Sequence, residues 1–328
     1  MLNKKILDDF KNKKALITGG TGLIGRQVAD ILIKAGCRVI IVSLDKININ
    51  KNAEHITGDL ASFEFCKKIT KNTDFVFHLA GVKASIEASK SHIASHFVPT
   101  LMMNTNILEA CKLNNVAKTV YTSSIGAYAN EEIYKECNYR VDSMPMDFAG
   151  WAKRMAELQI QAYKSQYNLE NFAVVRPANV YGPGDNYEPK SSMVIPSIMY
   201  RIFKKENPVI IWGDGSQIRD FVFSKDAAKG IILALYHGTG SGFVNIGGGR
   251  GYSIRELVET LHSFIDFNYE FDTSKPSGLA RKILDISMAE KTIGYKPETS
   301  LYNGLKQTWE WLAENHDEYR NLFNYFSG

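Results

Sequence analysis

The chain has 328 residues, 45% of them hydrophobic and 23% charged, with a formal net charge of +4 spread along its length. That length suits one large domain or two intimately joined ones, the composition is ordinary for a globular protein, and the mild charge lends little support to nucleic-acid binding. The polar N-terminus carries no signal-like apolar region and no apolar stretch approaches membrane-span length, so a cytoplasmic location is expected. Four cysteines (Cys37, Cys66, Cys111 and Cys137) lie far apart, without metal-ligand spacing or a disulfide framework; three of them read as buried free thiols, and no metal is expected.

In chain order, short β-rich runs alternate with helical patterns. KALIT (14–18), RVIIVSL (38–44), DFVFHLA (74–80), KTVYTSS (118–124) and NFAVVRP (171–177) resemble parallel strands buried on both faces. Helical stretches lie between them, for example Arg26 to Lys34 and Thr100 to Leu113. The alternation predicts an α/β fold: a Rossmann-type doubly wound parallel sheet with right-handed crossovers. After about residue 180, loop signals become common in YGPGDNYEP, WGDGSQ and NIGGGRG. Ser253 with Glu256, and Ser287 with Glu290, match capping boxes, and a last helix near 301–314 carries Leu305, Trp309 and Trp311 as packing residues. We expect residues 1–180 to form a dinucleotide-binding domain, with a return near 218–250. Residues 181–328 then form mainly a smaller α/β lobe that closes over the strand ends, where open α/β sheets bind ligands.

Gly19, Gly22 and Gly25 follow the first strand and open a helix, with GxxGxxG spacing. Gly19 permits the tight turn, Gly22 lets the backbone approach a pyrophosphate, and Gly25 lets helix and strand pack closely. The helix start at Leu23 and Ile24 offers N–H groups and a positive dipole end to phosphates. The second strand ends in Ser43-Leu44-Asp45. Asp45 is placed to bond ribose hydroxyls and to repel a 2′-phosphate, which favours NAD, although Lys46 beside it pulls the other way. Asp59, with Leu60 after it, follows the third strand and is placed to meet the adenine.

The chain resembles the extended short-chain dehydrogenases/reductases that act on nucleotide sugars. The resemblance is carried by ITGGTGLIG (17–25), GDL (58–60), HLAGVKA (78–84), TSSIGAY (122–128), GWAKRMAEL (150–158), RPANVYGPGDN (176–186), WGDGSQIRDF (212–221) and SKPSGLARKILD (274–285). The last two segments look most like GDP-fucose synthase and its relatives. The resemblance implies NAD as cofactor, with Leu79, Ala80, Lys83 and Lys153 beside it. It also implies a nucleotide-diphosphate sugar as partner, a homodimer built on the helices around 100–113 and 150–166, and a place in polysaccharide biosynthesis. Ser124 falls on the catalytic serine or threonine and Lys153 on the lysine of the YxxxK motif. Asn179, Arg219 and Arg281 fall on substrate-gripping positions, with Lys83 near the phosphates and Val194 and Trp212 lining the base pocket.

One departure stands out: the motif's tyrosine position is Ala149. Three readings stay open. The alanine is a change made to trap substrate, or it marks a natural subgroup that moves its proton through water or a group such as Tyr128 or His96, or the chain has lost catalysis and kept binding. The intact surroundings favour the catalytic readings. Family dehydratases carry Thr-Asp-Glu where this chain has Thr122-Ser123-Ser124, and GDP-fucose synthase has an epimerising cysteine where this chain has Ile125. Hydride transfer at a ring carbon, C4 first, is therefore the expectation, and the resemblance of the last two segments implies a GDP-sugar (hexose or heptose) as substrate. A binding-only protein and a 4,6-dehydratase are the alternatives.

Overall fold

A computed structural model describes residues 2–82, 91–189, 191–240, 242–275 and 278–317. Among them, seven parallel strands form the main sheet: β1 (Lys14–Thr18), β2 (Arg38–Ser43), β3 (Glu54–Thr57), β4 (Phe75–His78), β5 (Lys118–Thr122), β7 (Phe172–Pro177) and β11 (Val244–Ile246). Their order is β11-β7-β5-β4-β1-β2-β3, so the doubly wound fold is present and the order reverses between β1 and β4. The central strands are hydrophobic throughout because helices cover both faces; β7 is buried at every position.

A smaller sheet holds β6 (Ile133–Tyr134), β8 (Asn179–Tyr181), β10 (Ile218–Phe223), β12 (Gly251–Ser253) and β14 (Arg281–Leu284). A separate parallel pair joins β9 (Val209–Trp212) to β13 (Tyr269–Asp272). Two hydrophobic cores follow this division. The path between them is not a single crossing. Helix Ser224–His237 and β11 return to the main core, and so does a late segment through Ile286, Ala289, Ile293 and Tyr295. From the other side, Trp311 of the last helix (Leu301–Asn315) lies 5.4 Å from the Arg26 guanidinium of the first long helix.

Local sequence signals mostly act as read. The Ser253–Glu256 capping box is complete. At Ser287 the expectation is corrected: Ser287 is the first helical residue, and Asp285 accepts hydrogen bonds from both its N–H and its hydroxyl. An aspartate two residues upstream outcompetes the box because it reaches both donors at once. The helix expected from Thr100 begins at Ile93 and carries Pro99 inside it. Cys37, Cys66 and Cys111 are buried free thiols, each pushed up to about 12 by burial, and Cys137 is exposed. Among the described residues no helix is long and apolar enough to cross a membrane.

Candidate active site

The glycine loop forms at the sheet's switch point. Gly19 has φ +66°, and a Cβ there would stand 2.8 Å from Ala80 Cα, so the loop lies directly on the end of β4. A Cβ on Gly25 would stand 2.3 Å from the Gly19 carbonyl oxygen, so only glycine lets the helix start this close to the strand. Helix Leu23–Lys34 begins after Gly22 with no side-chain cap, which leaves its first N–H groups, those of Leu23 and Ile24 included, facing the strand ends. Asp45 stands over the same loop: the hydroxyls of Thr21 and Ser43 both donate to its Oδ2. Next door, Gly58 N–H donates to Ser43 O, which sets exposed Asp59 and buried Leu60 at the end of the adjacent strand. Backbone approach for a pyrophosphate, an uncapped helix start and an acid at the end of β2 fit a bound NAD. Leu79 and Ala80, half-buried at the end of β4, form the floor between this loop and the next strand. Lys83 lies outside the described residues.

The second group sits one strand further on. Lys153, on helix Phe148–Tyr167, donates through Nζ to Thr122 O at 2.8 Å, two residues before Ser124. A Cβ on Gly81 would be 3.3 Å from the same Nζ, so the ammonium lies between the ends of β4 and β5. Burial pushes Lys153 down to about 8, with Glu157 opposing the shift. The lysine is fixed from behind by a buried polar chain. Thr18 Oγ1 lies 2.7 Å from His78 Nδ1, and His78 Nε2 lies 2.9 Å from Asn104 Oδ1. Asn104 Nδ2 donates to Tyr121 OH, and Tyr121 OH donates to Lys153 O. Desolvation holds His78 down at about 3, so its ring is neutral and relays hydrogen bonds without adding charge.

Ser124 caps a short turn, its Oγ accepting from Gly126 N at 3.1 Å. Helix Phe148–Tyr167 presses on that turn: a Cβ on Gly150 would be 2.0 Å from Gly126 O. Asp147 caps the helix, its Oδ1 accepting from Gly150 N at 2.7 Å. Ala149, half-buried in the first helical turn and one turn before Lys153 on the same helix, holds the motif's tyrosine position without a phenol. Tyr128 does not supply one. It is 1% exposed, donates to Asn245 Oδ1, and burial pushes its hydroxyl far up. The ring of His96 is buried, with Nε2 2.8 Å from Val82 O, and desolvation pushes it down.

The small lobe supplies cations. Arg219 on β10 and Lys282 on β14 are register partners across a parallel pair, so their side chains share a face. Both are half-buried, and burial pushes both down. Among the described residues neither has a carboxylate within salt-bridge distance, and Lys282 Nζ lies 3.4 Å from Met146 Sδ, next to Asp147. Arg281 precedes Lys282 on the strand, points to the opposite face and is exposed. Asn179 Nδ2 donates to Asp220 O, which fixes the loop after β7 to β10. Val194 opens a helix that packs on β9, and Trp212, 55% exposed, ends β9. The structure thus sets the Ser124 turn against the start of the helix that carries Ala149 and Lys153, and places Arg219 with a lysine that sequence reasoning passed over.

Residues 15–247 match the profile of the NAD dependent epimerase/dehydratase family. The chain belongs to this family. Among its relatives, a putative UDP-glucose 4-epimerase of Methanocaldococcus jannaschii is 33% identical over 92% of this chain and 99% of its own length. A probable GDP-L-fucose synthase of Oryza sativa is 28% identical over 93% of each chain. Among solved structures, the UDP-glucose 4-epimerase of Thermotoga maritima, determined with UDP-glucose, superposes with a TM-score of 0.79 at 29% identity, over 92% of this chain and 99% of that one. As an NAD dependent epimerase/dehydratase family enzyme the protein uses NAD, and the glycine loop described above is where its own residues fit that cofactor.

Proposed function

We propose that this enzyme oxidises the C4 hydroxyl of a nucleotide-diphosphate sugar to the ketone and returns the hydride, interconverting C4 epimers. What supports this reading is the Lys153 ammonium bonded to Thr122 O, two residues before Ser124, at the strand edge that also bears the Gly19–Gly25 loop. When bound, NAD supplies the hydride acceptor and donor. Ser124 bonds the reacting sugar oxygen. Lys153 supplies positive potential and a hydrogen bond to the cofactor ribose. Arg219 and Lys282, two half-buried cations on one face, clamp the diphosphate, with Asn179 holding the adjoining loop. Arg281, Val194 and Trp212 serve the nucleoside end, and much of the binding energy comes from the nucleotide, remote from the reacting carbon. Thr122-Ser123-Ser124 places no acid on this strand end for water elimination, which weighs against dehydration.

Likeness at WGDGSQIRDF and SKPSGLARKILD favours guanosine, while the names of the relatives divide between guanosine and uridine sugars. The test is a panel of GDP-, UDP-, dTDP- and CDP-sugars with NAD, read by proton NMR, which separates C4 epimers, and by transient absorbance of the reduced cofactor. Conversion at C4 of one class is expected. Failure of every member to bind or react overturns the reading. Helices Ile93–Leu113 and Phe148–Tyr167 also expose Val98, Met102, Met155 and Tyr167, which supports a homodimer through this helix pair. A monomer mass by light scattering would refute it.

A further inference from the structure

Removing a hydride from an alcohol carbon leaves a proton on the oxygen, and some group must take it. In this chain the usual helix position holds a methyl group. The described surroundings of Ser124 offer few acceptors. Lys153 is already a donor to Thr122 O, Tyr128 is sealed against Asn245, and His96 is turned onto the Val82 carbonyl.

Asp147 differs from all three. It is exposed, and its Oδ1 is held by the cap bond from Gly150 N, while its Oδ2 has no hydrogen-bond partner among the described residues. The space beside it is defined by a missing side chain. A Cβ placed on Gly126 would lie 3.5 Å from Ser124 Oγ and 3.9 Å from Asp147 Oδ1, both ordinary contact distances. Ser124 Oγ and Asp147 Oδ1 therefore flank the same face of Gly126, and a substrate oxygen resting against that face would lie between them. From the small lobe, Lys282 reaches to Met146 beside this carboxylate and interacts with its charge, as does His96 from the main domain.

We propose that Asp147 is the proton acceptor of this enzyme, with the reacting sugar oxygen seated over Gly126 between the Ser124 hydroxyl and the Asp147 carboxylate. The step rests on the function proposed above. The sugar O–H bond breaks and its proton passes to Asp147; the O–H electron pair becomes the second C–O bond, and the C–H pair leaves as hydride to NAD. In the return step Asp147 gives the proton back. The carboxylate two residues before Ala149 then takes, at the start of the same helix, the role that a phenol at position 149 plays in the motif.

The test compares full-length wild type, Asp147→Asn, Ala149→Tyr and the double variant, each with NAD, against UDP-, GDP-, dTDP- and CDP-glucose. Asparagine accepts the same cap bond, so the helix start and the unfolding midpoint are retained. Asp147→Asn should lose about 100-fold or more in single-turnover rate, the range general bases contribute, while calorimetric affinity for the sugar nucleotide stays within about threefold. Ala149→Tyr in the same chain should restore turnover. Activity in Asp147→Asn equal to wild type overturns the proposal. An inert wild type alongside an active Ala149→Tyr also overturns it, and leaves the proposed substrate class standing for a chain that binds without reacting. Inertness of both with every sugar overturns the functional reading itself.

Discussion

Replacing Lys153 with methionine should change how stability depends on pH in one direction only. In the fold the ammonium is pushed down to about 8 from 10.5, chiefly by burial. At and below neutral pH the native and unfolded chains both hold the proton, and the native state carries the full desolvation cost. Between pH 8 and 10.5 the native lysine has shed its proton while the unfolded one keeps it. The unfolded state then binds more protons, so native stability rises with pH. The slope is about 1.4 kcal/mol per pH unit at most, and partial exposure of the side chain reduces the whole gain to ~1–3 kcal/mol. The variant lacks this gain. It also loses the bond to Thr122 O and the contact over the Tyr121 ring, a cost of roughly 1–2 kcal/mol that is nearly independent of pH below 8. Urea denaturation of both proteins, followed by circular dichroism from neutral pH upward, isolates the difference. Wild type minus variant should climb through the window. A flat or falling difference would refute the claim that burial poises this ammonium.

Gly25→Ala puts a Cβ 2.3 Å from the Gly19 oxygen and 2.6 Å from Gly20 Cα, both backbone atoms. The loop must move, and NAD affinity by calorimetry should fall about tenfold or more, ~1.4 kcal/mol, with the circular dichroism spectrum retained; unchanged affinity would show that the loop does not hold the pyrophosphate. Glu157→Gln leaves Arg176, fully buried and bidentate to Glu157, without its counter-ion inside a cage of Tyr128, Tyr139 and Phe243. Breaking such a pair costs about 3 kcal/mol or more in urea unfolding, whereas Glu157→Leu with Arg176→Met costs less. A loss under ~1 kcal/mol for Glu157→Gln would mean that the rings alone hold the guanidinium.

The main sheet was legible because burial on both faces writes near-continuous apolar runs, and β1, β5 and β7 fall within two residues of the stretches read from them. The glycine loop was legible because each of its glycines answers a specific backbone contact. The network behind Lys153 was not. His78, Asn104 and Tyr121 come from a strand, a helix and another strand, and nothing in their spacing declares that they meet. Nor was the choice between Arg281 and Lys282 legible, because β14 is four residues long and its register is set by β10, about sixty positions away. Asp147 was hidden by a different cause: as a helix cap it has a complete structural explanation, and only Gly126 on a separate turn shows what else its carboxylate faces.

The repeated passage of the backbone between the two cores constrains how the cleft can open. A protein whose halves are joined by one strand of chain swings on a hinge; here the late segment through Ile293 and Tyr295 is planted in the main core, with Tyr295 OH bonded to Gly247 O. The halves are sewn together, so admission and release of a sugar nucleotide fall to side chains and short loops at the rim. By the same stitching, cutting the chain near residue 180 would not yield a free-standing dinucleotide module, because the strand that closes one edge of its sheet, β11, and the helix Ser224–His237 would leave with the other piece.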